Sequence, residues 1–403
     1  MTRVAFVIKR KTHYRLLGAA VEEALRRGWQ VECWHDWSHS RTNWKGHDFP
    51  DLEPAFRAGA PRFIRFQGLE ELGERFQIEP PAAVVCVDPP EPAIAAASPA
   101  PWFWLQFATD LVLHPGSAQG VHDAAALGVF SPWWVTRLRD NLGEARVDRA
   151  ARRRLQPVGM PMLDLAEDID PEEVRWQYGL PRHRPLVLYL PFPWRSCPVR
   201  PWVQRAARLA GPGAPHVAGA VNRRLGPPRS DRPVVEALAA FCERSGAALI
   251  VKSRLKDPSP KYLRRVAGAH FDEGQEGYHP PLTLSLLRCA ALCVHFYSAV
   301  VVEAVFCGVP SLCLGPAPEV MGLDRIENAT RLYHGREGGL YNWPGASHWR
   351  ALDGAVDELG RAGLADFPLE PAARRAYVER FLGWDDGKSS ARFADLIAEH
   401  RRA

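Results

Sequence analysis

The sequence predicts an α/β protein made of two Rossmann-like doubly wound domains. Three observations carry this. Short apolar runs of strand type alternate with segments of helical spacing through both halves of the chain. The length of 403 residues exceeds one ordinary domain and suits two. Residues 292–314 read as a strand, a short capped helix and a second strand, the unit from which such sheets are wound.

In the first half, Val4 to Ile8 is an apolar strand followed by a basic loop, Lys9 to His13. Tyr14 to Arg27 carries Leu16, Leu17, Ala20, Val21, Ala24 and Leu25 at helical spacing and stops at Gly28. Gln30 to Trp34 alternates as a second strand. The turn has no Gly-x-Gly-x-x-Gly, which argues against a dinucleotide site there. His13 follows the first strand, where doubly wound domains place ligand chemistry, and an imidazole titrates near working pH. A general base is one reading of it; an exposed loop histidine is the other.

Residues 35–60 lack periodicity and read as a long loop. Ala82 to Val87 is a buried strand, Trp102 to Phe107 another apolar run, Leu127 to Ser131 a strand, and Pro132 to Leu142 a helix with Pro at its first position. His114, followed by Pro, Gly and Ser, ranks first among the acid/base candidates of this half, ahead of Asp88, Glu91, Asp110 and Asp123. Residues 1–165 form the first domain and 166–185, acidic then Pro-rich, the linker. Asp168 and Asp170 have a metal-like spacing, but they precede a helix start and read better as N-terminal helix charges.

Residues 186–370 form the second domain. Leu186 to Leu190 starts its sheet, and 195–232 is rich in Arg, Pro and Gly with little period. Val234 to Arg244 is a helix and Ala247 to Val251 a strand. Lys252 and Arg254 at its end put two cations where a diphosphate can be clamped. Pro281 to Cys289 is helical. In the unit that follows, Ser298 reads as the N-cap of a helix from Ala299 to Cys307, ended by Gly308 and Pro310. Its N-terminus offers N–H groups to a phosphate, with Glu303 in reach of sugar hydroxyls. The plainer reading makes Ser298 a cap and Glu303 a solvated helix residue. Residues 371–403 read as two terminal helices that cross back to the first domain.

The net charge of +5 is too mild to imply nucleic acid. No run of 18 apolar residues predicts a membrane span, and the N-terminus lacks the pattern of a signal peptide. Eight scattered cysteines, without metal spacing, fit a reducing cytoplasm.

Four stretches together carry a resemblance. Val158 to Asp164 resembles a Gly-x-Pro-x-x-Asp that closes a first domain, and Leu249 to Arg254 a Lys-x-His-Pro strand end. Leu286 to Leu314 resembles a run with Ser-Ser, Glu-Ala and Gly-x-Pro, and Asp386 to Arg392 an Asp-Gly-Lys terminus. In this order they resemble the GT-B glycosyltransferases, specifically the CDP-glycerol glycerophosphotransferase type and related capsule and lipopolysaccharide enzymes. Departures stand beside the match. Arg254 replaces the family's His, Tyr297-Ser298 replaces its Ser-Ser, and the His114 loop only partly follows its His-Gly-Thr.

The resemblance implies two domains facing across a cleft and transfer of a sugar from a nucleotide-activated donor to a hydroxyl acceptor. The donor is a nucleotide-sugar or a CDP-activated group, held by Ser298, Tyr297, Glu303, Lys252 and Arg254, with His114 or His13 as base. The acceptor is a glycan or lipid-linked chain, which places the protein in the cytoplasm, with peripheral membrane association at the inner face. No metal or resident cofactor is implied. Position 311 is Ser where retaining enzymes carry a second Glu, which implies inversion. Glycerophosphate transfer, UDP-sugar 2-epimerisation and a catalytically silent nucleotide- or glycan-binding protein are the alternatives.

Overall fold

The computed structural model describes residues 2–38, 48–90, 92–107, 109, 117–142, 153–191, 231–254, 261–272, 277–315 and 335–400. The chain forms two compact units. The first comprises Met1–Pro171, Glu276–Arg288 and Pro371–Ala403; the second comprises Glu172–Gln275 and Cys289–Glu370. The segment 276–288, assigned above to the second domain, therefore belongs to the first unit, and the division falls inside the expected linker.

The first unit holds seven strands: β1 (Arg3–Ile8), β2 (Gln30–Asp36), β3 (Arg62–Phe66), β4 (Ala83–Cys86), β5 (Trp102–Leu105), β6 (Ala126–Val129) and β7 (Leu155–Pro157). All pair in parallel, in the order β3-β2-β1-β4-β5-β6-β7. Parallel strands need crossovers, and the helices supply them: α1 (Tyr14–Arg26), α2 (Leu69–Ile78), α3 (Pro92–Ala97), α4 (Ser117–Asp123) and α5 (Pro132–Leu142). α1 ends as its sequence predicts. Gly28 takes φ +71°, and Trp29 N–H returns to the Ala24 carbonyl.

The second unit begins with α6 (Pro171–Gln177) and has six strands: β8 (Leu186–Tyr189), β9 (Ala248–Ser253), β10 (Ala269–Asp272), β11 (Leu292–His295), β12 (Ser311–Gly315) and β13 (Ser347–Ala351). They are again all parallel, in the order β10-β9-β8-β11-β12-β13. Its helices are α7 (Arg232–Arg244), α8 (Lys261–Val266), α10 (Val300–Phe306) and α11 (Leu352–Arg361); α9 (Leu282–Cys289) ends where β11's segment begins. Side chains two apart on a strand share a face. Val187 and Tyr189, Leu249 and Val251, Leu292 and Val294, and Leu312 and Leu314 thus make one buried layer with Leu238 and Phe241 of α7. Each contributes roughly 1.5–3 kcal/mol by burial.

The last two helices, α12 (Pro371–Phe381) and α13 (Ser389–His400), lie in the first unit. Asp164 accepts from the N–H groups of Ser389 (3.0 Å) and Ser390 (2.6 Å), capping α13 from a distance of over 220 residues in sequence. Arg27 at the end of α1 holds the same helix through Asp395 (2.7 Å) and the Ala391 carbonyl (3.0 Å). Two of the motifs behind the resemblance, Gly159 to Asp164 and Asp386 to Ser390, are thus halves of one clasp. Among the described residues no helix is long and apolar enough to cross a membrane. The seven described cysteines are all buried.

Candidate functional site

Each sheet reverses its winding direction once. In such sheets ligands bind outside the carboxyl ends of the strands at that reversal. In the first unit the reversal lies between β1 and β4, and both flanking loops bring titratable groups to it. His13 closes the loop after β1, and Asp88 follows β4. His13 Nε2 stands 3.7 Å from Asp88 Oδ2.

The loop is braced. Thr12 donates N–H and Oγ1–H to Asp48 (3.1 and 3.0 Å), and the Tyr14 hydroxyl meets His35 Nε2 at 2.7 Å. His13 is 2% exposed, so the exposed-loop reading does not hold. Burial pushes its pKa down to about 4, with the Asp88 carboxylate pulling the other way. The imidazole is therefore neutral at pH 7. By hydrogen-bond geometry its Nδ1 is buried with no partner among the described residues, though the Val7 carbonyl beside the ring, like Asp88, favours the charged form. Phe107, 39% exposed, tilts against the ring with centroids 5.9 Å apart.

Among the other candidates in this half, Asp123 ends α4 just before β6. That is the amino edge of the sheet, opposite His13, so it drops out. His114, Glu91 and Asp110 lie outside the described residues.

In the second unit the reversal lies between β8 and β11. Ser298 sits just past β11, half-buried. α10 runs Val300–Phe306, one residue later than expected, with Ala299 already in helical conformation; Ser298 Oγ accepts from Val300 N–H (3.3 Å) as a cap does. Just before Ser298, Tyr297 adopts φ +39°, a left-handed conformation that costs a non-glycine residue about 1–3 kcal/mol. The N–H groups expected to cradle a phosphate are occupied. Val300 N–H donates to Ser298 Oγ (3.3 Å), Val301 N–H to the Ser298 carbonyl (3.2 Å), and Val302 N–H to the Ala299 carbonyl (3.2 Å). The turn still offers the Ser298 hydroxyl hydrogen, because that oxygen serves only as acceptor in its bond to Val300.

The other expected donor contacts divide. Lys252 lies inside β9, paired with Phe271 of β10 and 5% exposed, not past the strand end. Arg254 follows β9 and is exposed. Glu303 is buried in α10, so the solvated-residue reading fails. Burial first, and the Glu303 carboxylate second, push the Cys293 thiol well up. Tyr297 is buried too, and its hydroxyl accepts from Trp349 Nε1 (3.0 Å). It braces the turn and does not line open space. Asp168 pairs with Arg57 at 3.3 Å.

The sequence reading missed His295. Ser298 N–H donates to its Nδ1 (3.2 Å), so Nδ1 is the unprotonated nitrogen and Nε2–H donates to Ser311 Oγ (2.7 Å). With both nitrogens satisfied and the ring fully buried, its pKa falls to about 3. The folded value is depressed below the unfolded value of about 6.5. The stability this residue confers is therefore complete above pH 6.5 and is lost as pH falls toward 3. At pH 5 the loss is about 2 kcal/mol. Glutamine can make both bonds without titrating. The melting temperature of His295→Gln is expected to fall less than wild type between pH 7 and 5; an equal fall would show that His295 takes up no proton on unfolding. His13 and His35, both lowered to about 4 by burial, leave a residual acid sensitivity in either protein.

No protein-family model matches the sequence, and no curated protein matches it. Solved structures do. The wall teichoic acid polymerase TagF aligns over 100% of this chain and 89% of its own, with TM-score 0.62 and 12% identity. A UDP-GlcNAc 2-epimerase from Neisseria meningitidis, bound to UDP-GlcNAc, aligns over 99% and 100%, with TM-score 0.56 and 11% identity. A putative UDP-N-acetylglucosamine 2-epimerase from Listeria monocytogenes aligns over 99% and 96%, with TM-score 0.55 and 13% identity. The chain has the GT-B fold that these proteins share, made of two Rossmann-type units.

Proposed function

We propose that this GT-B chain is a glycosyltransferase that moves a sugar from a nucleotide-activated donor to a hydroxyl acceptor in the making of a cell-surface polysaccharide. The observation that carries the proposal is His13: a neutral buried imidazole at the reversal of the first sheet, Nδ1 unpartnered and Nε2 toward a carboxylate. That is the equipment of a general base. The imidazole takes the acceptor hydroxyl's proton, and Asp88 stabilises the imidazolium that forms. His114 is the second candidate for the same role.

The second unit binds the donor. The Ser298 hydroxyl and Arg254 meet the charge that develops on the leaving phosphate, without a metal, and Lys252 adds its charge from within β9. Glu303 is the ribose contact implied by the resemblance, and Tyr297 holds the turn behind Ser298. Serine at position 311 leaves no second glutamate, and this supports inversion. A lipid-linked or glycan acceptor would bring the protein to the inner face of the membrane. Ser298→Ala is expected to weaken nucleotide binding by about 10–100-fold, the value of one hydrogen bond to a charged group. Calorimetry checks this, and unchanged affinity would remove Ser298 from the site.

Transfer of glycerophosphate from CDP-glycerol is a variant of the same reading, supported by the likeness to TagF. The likeness to the epimerases supports a second reading, isomerisation of a UDP-sugar. Product analysis separates them. The protein is incubated with UDP-, GDP- and CMP-sugars and with CDP-glycerol, with and without lipid-linked oligosaccharide. Nucleotide release that depends on the acceptor supports a transferase, and the productive donor distinguishes sugar from glycerophosphate. Isomerised donor in its absence supports an epimerase. No turnover of any donor, by protein that binds nucleotide, leaves a silent binding protein.

A further inference from the structure

Tyr297 and Tyr278 are the described non-glycine residues with positive φ, and Tyr297 immediately precedes Ser298. A bulky residue stays in that conformation only where its surroundings over-determine it. Here they do. Its N–H donates to Cys313 Sγ of β12 (3.3 Å), and its hydroxyl accepts from Trp349 Nε1 of β13 (3.0 Å). Its ring packs edge-on against Tyr341, with centroids 5.1 Å apart.

The indole of Trp349 occupies space that two glycines leave open. A Cβ on Gly315 would lie 2.6 Å from the Tyr297 hydroxyl, closer still to Trp349 Nε1, and one on Gly335 would run into the same indole. The glycine at the end of β12 thus lets a strand-borne tryptophan reach across to the turn after β11.

We infer that Trp349 is a positioning residue for the nucleotide: through Tyr297 it holds the turn that presents the Ser298 hydroxyl to a phosphate. The inference rests on the reading of Ser298 as a phosphate contact. A hydroxyl fixed before binding needs no ordering when the ligand arrives, which is how a support of this kind affects affinity. Neither Trp349 nor the Tyr297 hydroxyl touches the nucleotide in this account, so both act only through Ser298.

The test is calorimetric titration of the full chain with CDP and with UDP, alongside thermal melting. The proteins are wild type, Tyr297→Phe, Trp349→Phe, Ser298→Ala and the double variant Tyr297→Phe/Ser298→Ala. Tyr297→Phe removes one oxygen from a side chain that otherwise keeps its packing, so it remains informative if Trp349→Phe fails to fold. Tyr297→Phe and Trp349→Phe are each expected to weaken binding about tenfold, the scale of one hydrogen bond. The double variant is expected to bind no more weakly than Ser298→Ala, because residues acting through one contact are not additive. Wild-type affinity in folded Tyr297→Phe, with affinity lost in Ser298→Ala, overturns the inference and leaves the site standing. Losses that add in the double variant also overturn it. Binding of neither nucleotide by folded wild type overturns both the inference and the site.

Discussion

Replacing His13 with glutamine is expected to lower turnover by about 10²–10⁴-fold, the usual contribution of a positioned general base. Nucleotide affinity is expected to stay at the wild-type value, because His13 belongs to the first unit and the proposed donor contacts, Ser298 and Arg254, to the second. The imidazole is buried, neutral and unpartnered at Nδ1, so glutamine removes the proton acceptor while filling similar volume. The pH profile gives a second readout. The free base titrates at about 4, so activity should be flat from pH 6 to 8 on the His13 limb and decline only in acid. Full turnover in His13→Gln would pass the base role to His114 or exclude base catalysis.

The second large effect concerns folding. Gly159→Ala is expected to destabilise the first unit by about 3 kcal/mol, combining a side chain at positive φ with overpacking. Gly159 has φ +90°, and a Cβ there would lie 2.8 Å from Ser389 Cβ and closer to its hydroxyl. Asp164→Ala should cost about 2–4 kcal/mol, because two N–H groups at the start of α13 lose their acceptor. Denaturant unfolding measures both. Wild-type stability in both variants would mean that α13 is held by Arg27 and its apolar face alone. These residues lie in two of the stretches that carry the resemblance, and in this fold they dock a terminal helix.

The central strands could be read from sequence because both faces are buried. β4 (Ala-Val-Val-Cys), β8 (Leu-Val-Leu-Tyr) and β11 (Leu-Cys-Val-His) are nearly continuous apolar runs. The outer strands were missed for the complementary reason. β3 (Arg-Phe-Ile-Arg-Phe), β10 (Ala-His-Phe-Asp) and β13 (Ser-His-Trp-Arg-Ala) keep polar residues toward solvent and look like loops. Lys252 was placed beyond its strand because the apolar run stops at Val251, while the ladder with β10 continues to Ser253.

At the site, the loop after β1 and the turn after β11 were legible, since Gly28, Gly308 and Pro310 fix where the helices end. The bracing was not. His295, Ser311, Cys313 and Trp349 meet only when β11, β12 and β13 lie side by side, and no local pattern in the chain announces that. The first N–H groups of α10 are taken up within the turn, which leaves the Ser298 hydroxyl hydrogen as the proposed donor to a phosphate.

The central claim is that the second unit binds a nucleotide at the Ser298 turn. Calorimetric titration of wild type with CMP, CDP, UDP and GDP, without metal, tests it most directly. Saturable binding of one nucleotide family, weakened in Ser298→Ala, is the expected result. Binding of none of the four by protein that melts cooperatively would contradict it.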